Sequence, residues 1–161
     1  MHYFGRFDEK TLAAHPTYEG HSEGYAVAEL VNRASGSVHT GLSMNELAAG
    51  GTIHPHVHSF EEGFYILGGE AIVTVNGAAH HLVSGDYGAA KVGAPHAWRA
   101  VGSGPVRWLQ MNAPQPKPPG AERDTFFLRD RSIAASAPRL DAGSVGENIL
   151  GHFDASQVPS P

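Results

Sequence analysis

The sequence predicts an all-β protein, an antiparallel sandwich or barrel, on three observations. Glycine and proline number 20 and 11 among 161 residues, a density of chain-breakers that leaves little room for long helices. Short runs rich in β-branched and aromatic residues recur at intervals of about 8–12 residues. Turn chemistry separates them, most clearly at Asn76-Gly77. A chain of this length closes one core and has a tail left over.

In chain order, residues 1–24 are polar and mixed and read as an arm or a short leading strand. Strand patterning starts at Tyr25–Val31. It resumes over Ser37–Leu47, where Val38, Thr40, Leu42 and Met44 alternate at period two. Gly50-Gly51 is expected to break that run before Thr52–His58. Glu61–Leu67 follows, with Gly68-Gly69 as a two-residue hairpin turn into Glu70–Val75. Asn76-Gly77 returns the chain through Ala78–Val83, and Ser84-Gly85-Asp86 turns it again. Tyr87–Val92, His96–Val101 and Val106–Asn112 complete the set, so the barrel is expected to close within residues 25–112.

After Asn112 the composition changes. Ala113–Gly120 holds four prolines in eight residues and reads as an extended strap. Residues 113–161 form this strap and a polar tail, in which Phe126-Phe127-Leu128 is an apolar patch suited to stapling the strap to the barrel. Phe4-Gly5-Arg6-Phe7-Asp8 is echoed 146 residues later by Leu150-Gly151-His152-Phe153-Asp154. Two readings stay open: chance similarity, or the lead into a second tandem repeat of the same domain.

A net charge of −5 argues against a nucleic-acid partner. No run approaches the roughly 20 apolar residues of a membrane span. The start, MHYFGRFDEK, lacks the apolar run of a secretory signal, and a cytoplasmic location is expected. The absence of cysteine excludes disulfides and thiolate metal sites. The outlying feature is 11 histidines, which directs attention to metal ligation.

His54, His56 and His58 are spaced by two, so on a strand they project to one face. Glu62 lies across a short turn and can swing back to the same point. His96 follows Pro95 at the head of a later strand and can meet them inside a closed sheet. Three imidazoles and a carboxylate suit a borderline divalent ion such as Mn, Fe, Co, Ni, Cu or Zn. Four protein donors also leave coordination positions open to substrate, water or dioxygen.

The segment Gly50 to Gly69 resembles the first cupin motif, G-x5-H-x-H-x3,4-E-x6-G, and fits it without a gap through Gly50, His56, His58, Glu62 and Gly69. The segment from Gly85 resembles the second motif, G-x5-P-x-G-x2-H-x3-N, at Gly85, Gly93 and His96; Lys91 and Ala100 stand where proline and asparagine are usual. The resemblance covers residues 25–112. It implies a cupin double-stranded β-helix, or jelly-roll barrel, with His56, His58, Glu62 and His96 as metal ligands and Mn or Fe as the favoured ion. It implies an enzyme that chelates a small oxygen-rich or carboxylate substrate, dioxygenase-like in its reaction. Two alternatives remain: a manganese-dependent aminohydrolase of the ureidoglycine type, and a non-catalytic small-molecule binding cupin. A homodimer, or a tandem cupin domain as partner, is expected, since exposed edge strands need cover.

Other residues carry weaker signals. His54 shares the parity of His56 and is a candidate general base, or a hydrogen-bonding histidine at the entrance. Phe64 and Trp98 are placed in the core or in a pocket wall. Gln110 in the last barrel strand is a candidate substrate-binding group, and Lys91, Arg99 and Arg107 are candidate anchors for an anion. Glu61, opposite in parity to Glu62, faces solvent. His80 sits opposite Val73 across the Asn76-Gly77 turn, in a polar role inside the sheet.

Overall fold

The structure, a computed structural model, describes residues 2–118, 123–141 and 150–152. Two single-turn helices, Glu9–Thr11 and Pro16–Tyr18, lead into ten strands among the described residues. These are β1 (Ser22–Val31), β2 (Gly41–His58), β3 (Glu61–Gly68), β4 (Glu70–Val75), β5 (Ala78–Val83), β6 (Asp86–Ala90), β7 (His96–Val101), β8 (Val106–Ala113), β9 (Thr125–Phe127) and β10 (Leu150–His152). They pair in the order β10-β6-β3-β8-β2-β7-β4-β5, with β1 and β9 also on β2. Every pairing between these strands is antiparallel. This nearly closed antiparallel sheet is the predicted all-β jelly-roll barrel. Among the described residues no helix is long and apolar enough to cross a membrane.

β2 organises the barrel. Its first half pairs with β8, from Gly41↔Asn112 to Leu47↔Val106, and its second half pairs with β7, from Thr52↔Arg99 to His56↔His96. Gly50-Gly51 therefore bends the strand instead of breaking it, a correction to the sequence reading. Gly50 has φ 72°, and a Cβ on Gly51 would lie 2.6 Å from the Glu23 carbonyl oxygen, so the corner tolerates no side chain there.

The alternation over Ser37–Leu47 starts later than the sequence pattern does. The strand begins at Gly41, Val38 is exposed, and the inward residues are Ser43, Asn45 and Leu47. Period two fixes that faces alternate but not which face is inside. Here the inside is polar. Tyr25 Oη donates to Asn45 Oδ1 at 2.7 Å, and Asn45 Nδ2 donates to Ser43 Oγ at 2.9 Å.

Gly68-Gly69 is a crossover, not a hairpin turn: β3 pairs with β6 and β8, whereas β4 pairs with β5 and β7. The chain passes from β3 to a strand that is not its neighbour, with Gly69 at φ 79°, and a Cβ there would sit 2.2 Å from the Pro105 carbonyl oxygen. The Asn76-Gly77 turn is a hairpin as predicted, with φ of 50° and 82°, Val75 facing Ala78 and Val73 facing His80.

The core stacks aromatic rings. Trp98 and Trp108 lie parallel at 4.5 Å, Phe64 meets Trp98 edge-on at 5.0 Å, and Tyr25 caps Trp108 at 6.0 Å. Leu47, Ile66, Val73, Leu82 and Val106 fill the space around them. Such pairs add about 0.5–1.5 kcal/mol beyond the burial of their area.

The barrel is not complete at Asn112. β9 adds to β2 through His56↔Phe127, Val57↔Phe126 and His58↔Thr125. Phe127 is half-buried against the core, while Phe126 and Leu128 stay exposed, so one ring of the patch does the stapling. Further on, Arg139 forms a bridge with His81 and its guanidinium pairs with Glu70 at 3.2 Å. Of the echoed segments, Leu150–His152 forms β10 on β6, and residues 153 and 154 lie outside the described residues.

Candidate metal centre

Three strands aim four side chains at one point. His56 and His58 occupy alternate positions at the end of β2, Glu62 opens β3 after the Ser59-Phe60 turn, and His96 opens β7 directly across from His56. The donor atoms of His56, His58, Glu62 and His96 all lie within 4.8 Å of one another, and all four residues are buried. The His56 and His96 ring centroids are 4.1 Å apart, and His58 lies 4.7 Å from His56 and 5.0 Å from His96.

The far ring nitrogens are held from outside. His56 Nδ1 donates to the His54 carbonyl at 2.7 Å and His96 Nδ1 to the Ala94 carbonyl at 2.9 Å. A carbonyl only accepts, so both rings carry their proton on Nδ1 and present a lone pair at Nε2 when neutral. His58 Nδ1 lies 3.0 Å from Thr125 Oγ1. On the inner side, His58 Nε2 meets Glu62 Oε2 at 3.1 Å. His96 Nε2 is buried, stands 3.6 Å from the same oxygen, and hydrogen-bonds to nothing among the described residues. A buried nitrogen without a hydrogen bond, among donors held from behind, fits a divalent cation.

The electrostatics match. Burial pushes the Glu62 carboxyl up, but the His96 and His58 imidazoles outweigh it and hold the group well below the usual carboxylate range. Burial pushes His96 down, and the Glu62 charge and contact more than reverse this, so His96 lies above its usual 6.5. His56 falls well below 6.5, mainly through burial and then through the neighbouring imidazoles. The cluster thus keeps a carboxylate and at least one neutral imidazole at neutral pH, the states a metal requires.

Beside the centre opens a cavity of about 950 Å³. Tyr18, Phe60, Gln110, Thr125 and Phe127 line it and also touch the ligand residues. Tyr18 and Phe127 each meet the His56 ring at 5.5 Å, and Phe60 stacks on His58 at 4.3 Å. Burial raises the Tyr18 and Tyr25 hydroxyls well above their usual range, so both stay protonated donors. The buried floor is neutral, with Ser43, Gln110 and Asn112. The lining charges Glu19, Glu29, Arg33, Lys117 and Arg123 are exposed, and Asp124 is half-buried.

The weaker sequence candidates divide. The parity argument for His54 fails, because β2 bulges between Ile53 and His56. Its ring lies against His21 at 6.4 Å, and its link to the cluster is its carbonyl. Trp98 and Phe64 pack in the core and do not line the cavity. Lys91 is exposed and Arg107 pairs with Glu9 and Glu46, so neither reaches the cavity, and Arg99 is absent from its lining too. Gln110 is at the centre itself, with its polar atoms bonded to Glu62, Asn112 and Trp108. Sequence reading missed Tyr18, Tyr25 and Thr125. Thr125 adjoins the apolar patch, which was its one available signal.

Residues 43–112 match the cupin domain family, and the barrel built around them is a cupin barrel. Comparison with curated protein sequences finds no match. Among solved structures, the chain is similar to the polyketide cyclase RemF from Streptomyces resistomycificus at 17% identity and TM-score 0.64, over 83% of this chain and 89% of that one. It is similar to oxalate decarboxylase from Bacillus subtilis at 24% identity and TM-score 0.56, over 66% of this chain but 28% of that one. It is also similar to KdgF from Halomonas sp. at 17% identity and TM-score 0.52, over 57% of this chain and 80% of that one. These likenesses are of fold.

Proposed function

We propose that the chain is a divalent-metal enzyme, with manganese or iron bound by His56, His58, Glu62 and His96, that oxygenates a small oxygen-rich substrate. The observation that carries this reading is the buried cluster of three imidazoles and one carboxylate beside a cavity of about 950 Å³. When bound, the ion supplies a Lewis acid that holds substrate oxygens and stabilises negative charge developing on them. The chain supplies the rest. Tyr18, Tyr25, Phe60 and Phe127 offer aromatic walls, and Ser43 and Asn112 offer neutral hydrogen-bonding groups at the floor. With no buried cation among the described lining residues, the cavity suits a neutral hydroxylated or keto-bearing ring better than a small dicarboxylate.

The test is oxygen uptake by protein loaded in turn with Mn, Fe, Co, Ni and Cu, using polyhydroxylated aromatic compounds. Uptake that disappears in Glu62→Ala and His56→Ala supports the reading, and no uptake with any metal removes it. A second reading is redox-neutral ring closure in the same cavity. The cavity size favours it, as does the likeness to RemF, a polyketide cyclase, over most of both chains. Product formed with no oxygen consumed selects that reading.

A further inference from the structure

We infer that Gln110 is a positioning residue of the metal centre: oriented by Trp108, it fixes Glu62 Oε2 toward the three imidazoles. The inference rests on the metal reading above. An indole N–H only donates, so the atom of Gln110 that lies 3.1 Å from Trp108 Nε1 is the carbonyl Oε1. That choice leaves no freedom at the other end. The amide Nε2 faces Glu62 Oε2 at 3.0 Å and Asn112 Oδ1 at 3.1 Å, and donates one hydrogen to each. Trp108, Gln110 and Glu62 are all buried.

Glu62 Oε2 is the oxygen that meets His58 Nε2 at 3.1 Å and His96 Nε2 at 3.6 Å. An ion held by those two nitrogens uses the lone pairs on Nε2, so neither nitrogen then carries a proton for Oε2. The Gln110 amide is then the donor that still holds this oxygen among the described residues. Being neutral, it adds no charge to compete with the cation. The strand register explains the placement. Trp108, Gln110 and Asn112 alternate on the inner face of β8, and Glu62 on β3 lies opposite Asn112, diagonal to Gln110. A hydrophobic residue at 110 would keep the barrel pattern and lose the orienting bond.

The experiment compares Mn(II) affinity of the full chain and its Gln110→Leu, Gln110→Glu and Trp108→Phe variants, together with the visible spectrum of the Co(II)-loaded forms. When ionised, the glutamate of Gln110→Glu retains an acceptor for Trp108 but has no hydrogen for Glu62. The expected result is a loss of Mn(II) affinity of about 10–100-fold in both Gln110 variants, with a shifted Co(II) spectrum. Trp108→Phe shows a smaller loss in the same direction. Ile66→Val, a core change away from the ligands, lowers the melting temperature and leaves affinity and spectrum unchanged. Mn(II) affinity within about twofold of wild type in Gln110→Glu and Trp108→Phe overturns the inference, even if Gln110→Leu does not fold. A wild-type chain that binds neither ion overturns the metal reading and this inference together, whereas wild-type binding with insensitive variants overturns this one alone.

Discussion

His58 Nδ1 and Thr125 Oγ1 are 3.0 Å apart although 67 positions separate them in the chain. The threonine belongs to β9, beyond the proline-rich segment and outside the stretch that matches the family. The ligand residues come from the barrel motifs, but part of the scaffold that orients them comes from the C-terminal segment.

Thr125→Val keeps the shape and removes the oxygen that faces His58. Metal affinity is expected to fall by about 10–100-fold. The metal-free protein loses about 1–3 kcal/mol, because the buried His58 Nδ1 is left without this partner. Competition titration against a chromophoric chelator, beside a thermal melt, measures both. Unchanged affinity would show that His58 needs no outer partner.

Metal uptake should stabilise the protein increasingly as pH rises. Glu62 has a lowered folded pKa, so its contribution is present above the usual carboxylate value and is lost only as pH falls through the lowered one. His96 has a raised folded pKa, so in the metal-free protein its contribution is present below 6.5 and is lost as pH rises through the folded value. An ion replaces that proton and is not lost with it. The melting-temperature gap between loaded and metal-free protein therefore widens from about pH 6 to pH 8. At 100 times the dissociation constant the stabilisation at fixed pH is about 2.7 kcal/mol, and Glu62→Ala abolishes most of it. A gap that narrows with rising pH contradicts this account.

Trp98→Ala is expected to cost about 3–5 kcal/mol, because the indole is 1% exposed and sandwiched between Trp108 and Phe64. Denaturant unfolding measures it. A loss below about 1 kcal/mol would mean that the ring does not support the core.

Gly69→Ala places a methyl group 2.2 Å from the Pro105 carbonyl oxygen at a φ of 79°. The backbone term alone is about 1–3 kcal/mol, and the clash adds to it. Gly68→Ala, where a Cβ meets nothing within 4 Å, is the matched control and is expected to melt near wild type.

Much of the fold was legible because turn chemistry is local. The hairpin at Asn76-Gly77 and the strand His96–Val101 appear as read. The four clustered side chains were legible because period two and motif spacing do not depend on distant contacts. What failed depended on long-range choices. Period two alone left open which face of Gly41–Leu47 is inside; Ser43 and Asn45 are buried while the apolar Leu42 and Met44 are only half-buried. His54 lost its parity to a bulge between Ile53 and His56, for which Pro55 was the local signal. Gly68-Gly69 has the chemistry of a hairpin and serves as a crossover, because which strands pair is settled by closure of the whole barrel. Thr125 was invisible because its role is set by a partner on another segment.

The length of β2 has a geometric corollary. Drawn straight, its 18 residues would reach about 60 Å, roughly double the width of a small domain. A strand that long cannot stay inside one barrel unless it folds over a pivot, and Gly50-Gly51 is that pivot. The leading glycine of the histidine motif is thus an elbow for the chain as a whole. Stiffening it would leave every imidazole chemically intact and scatter them in space.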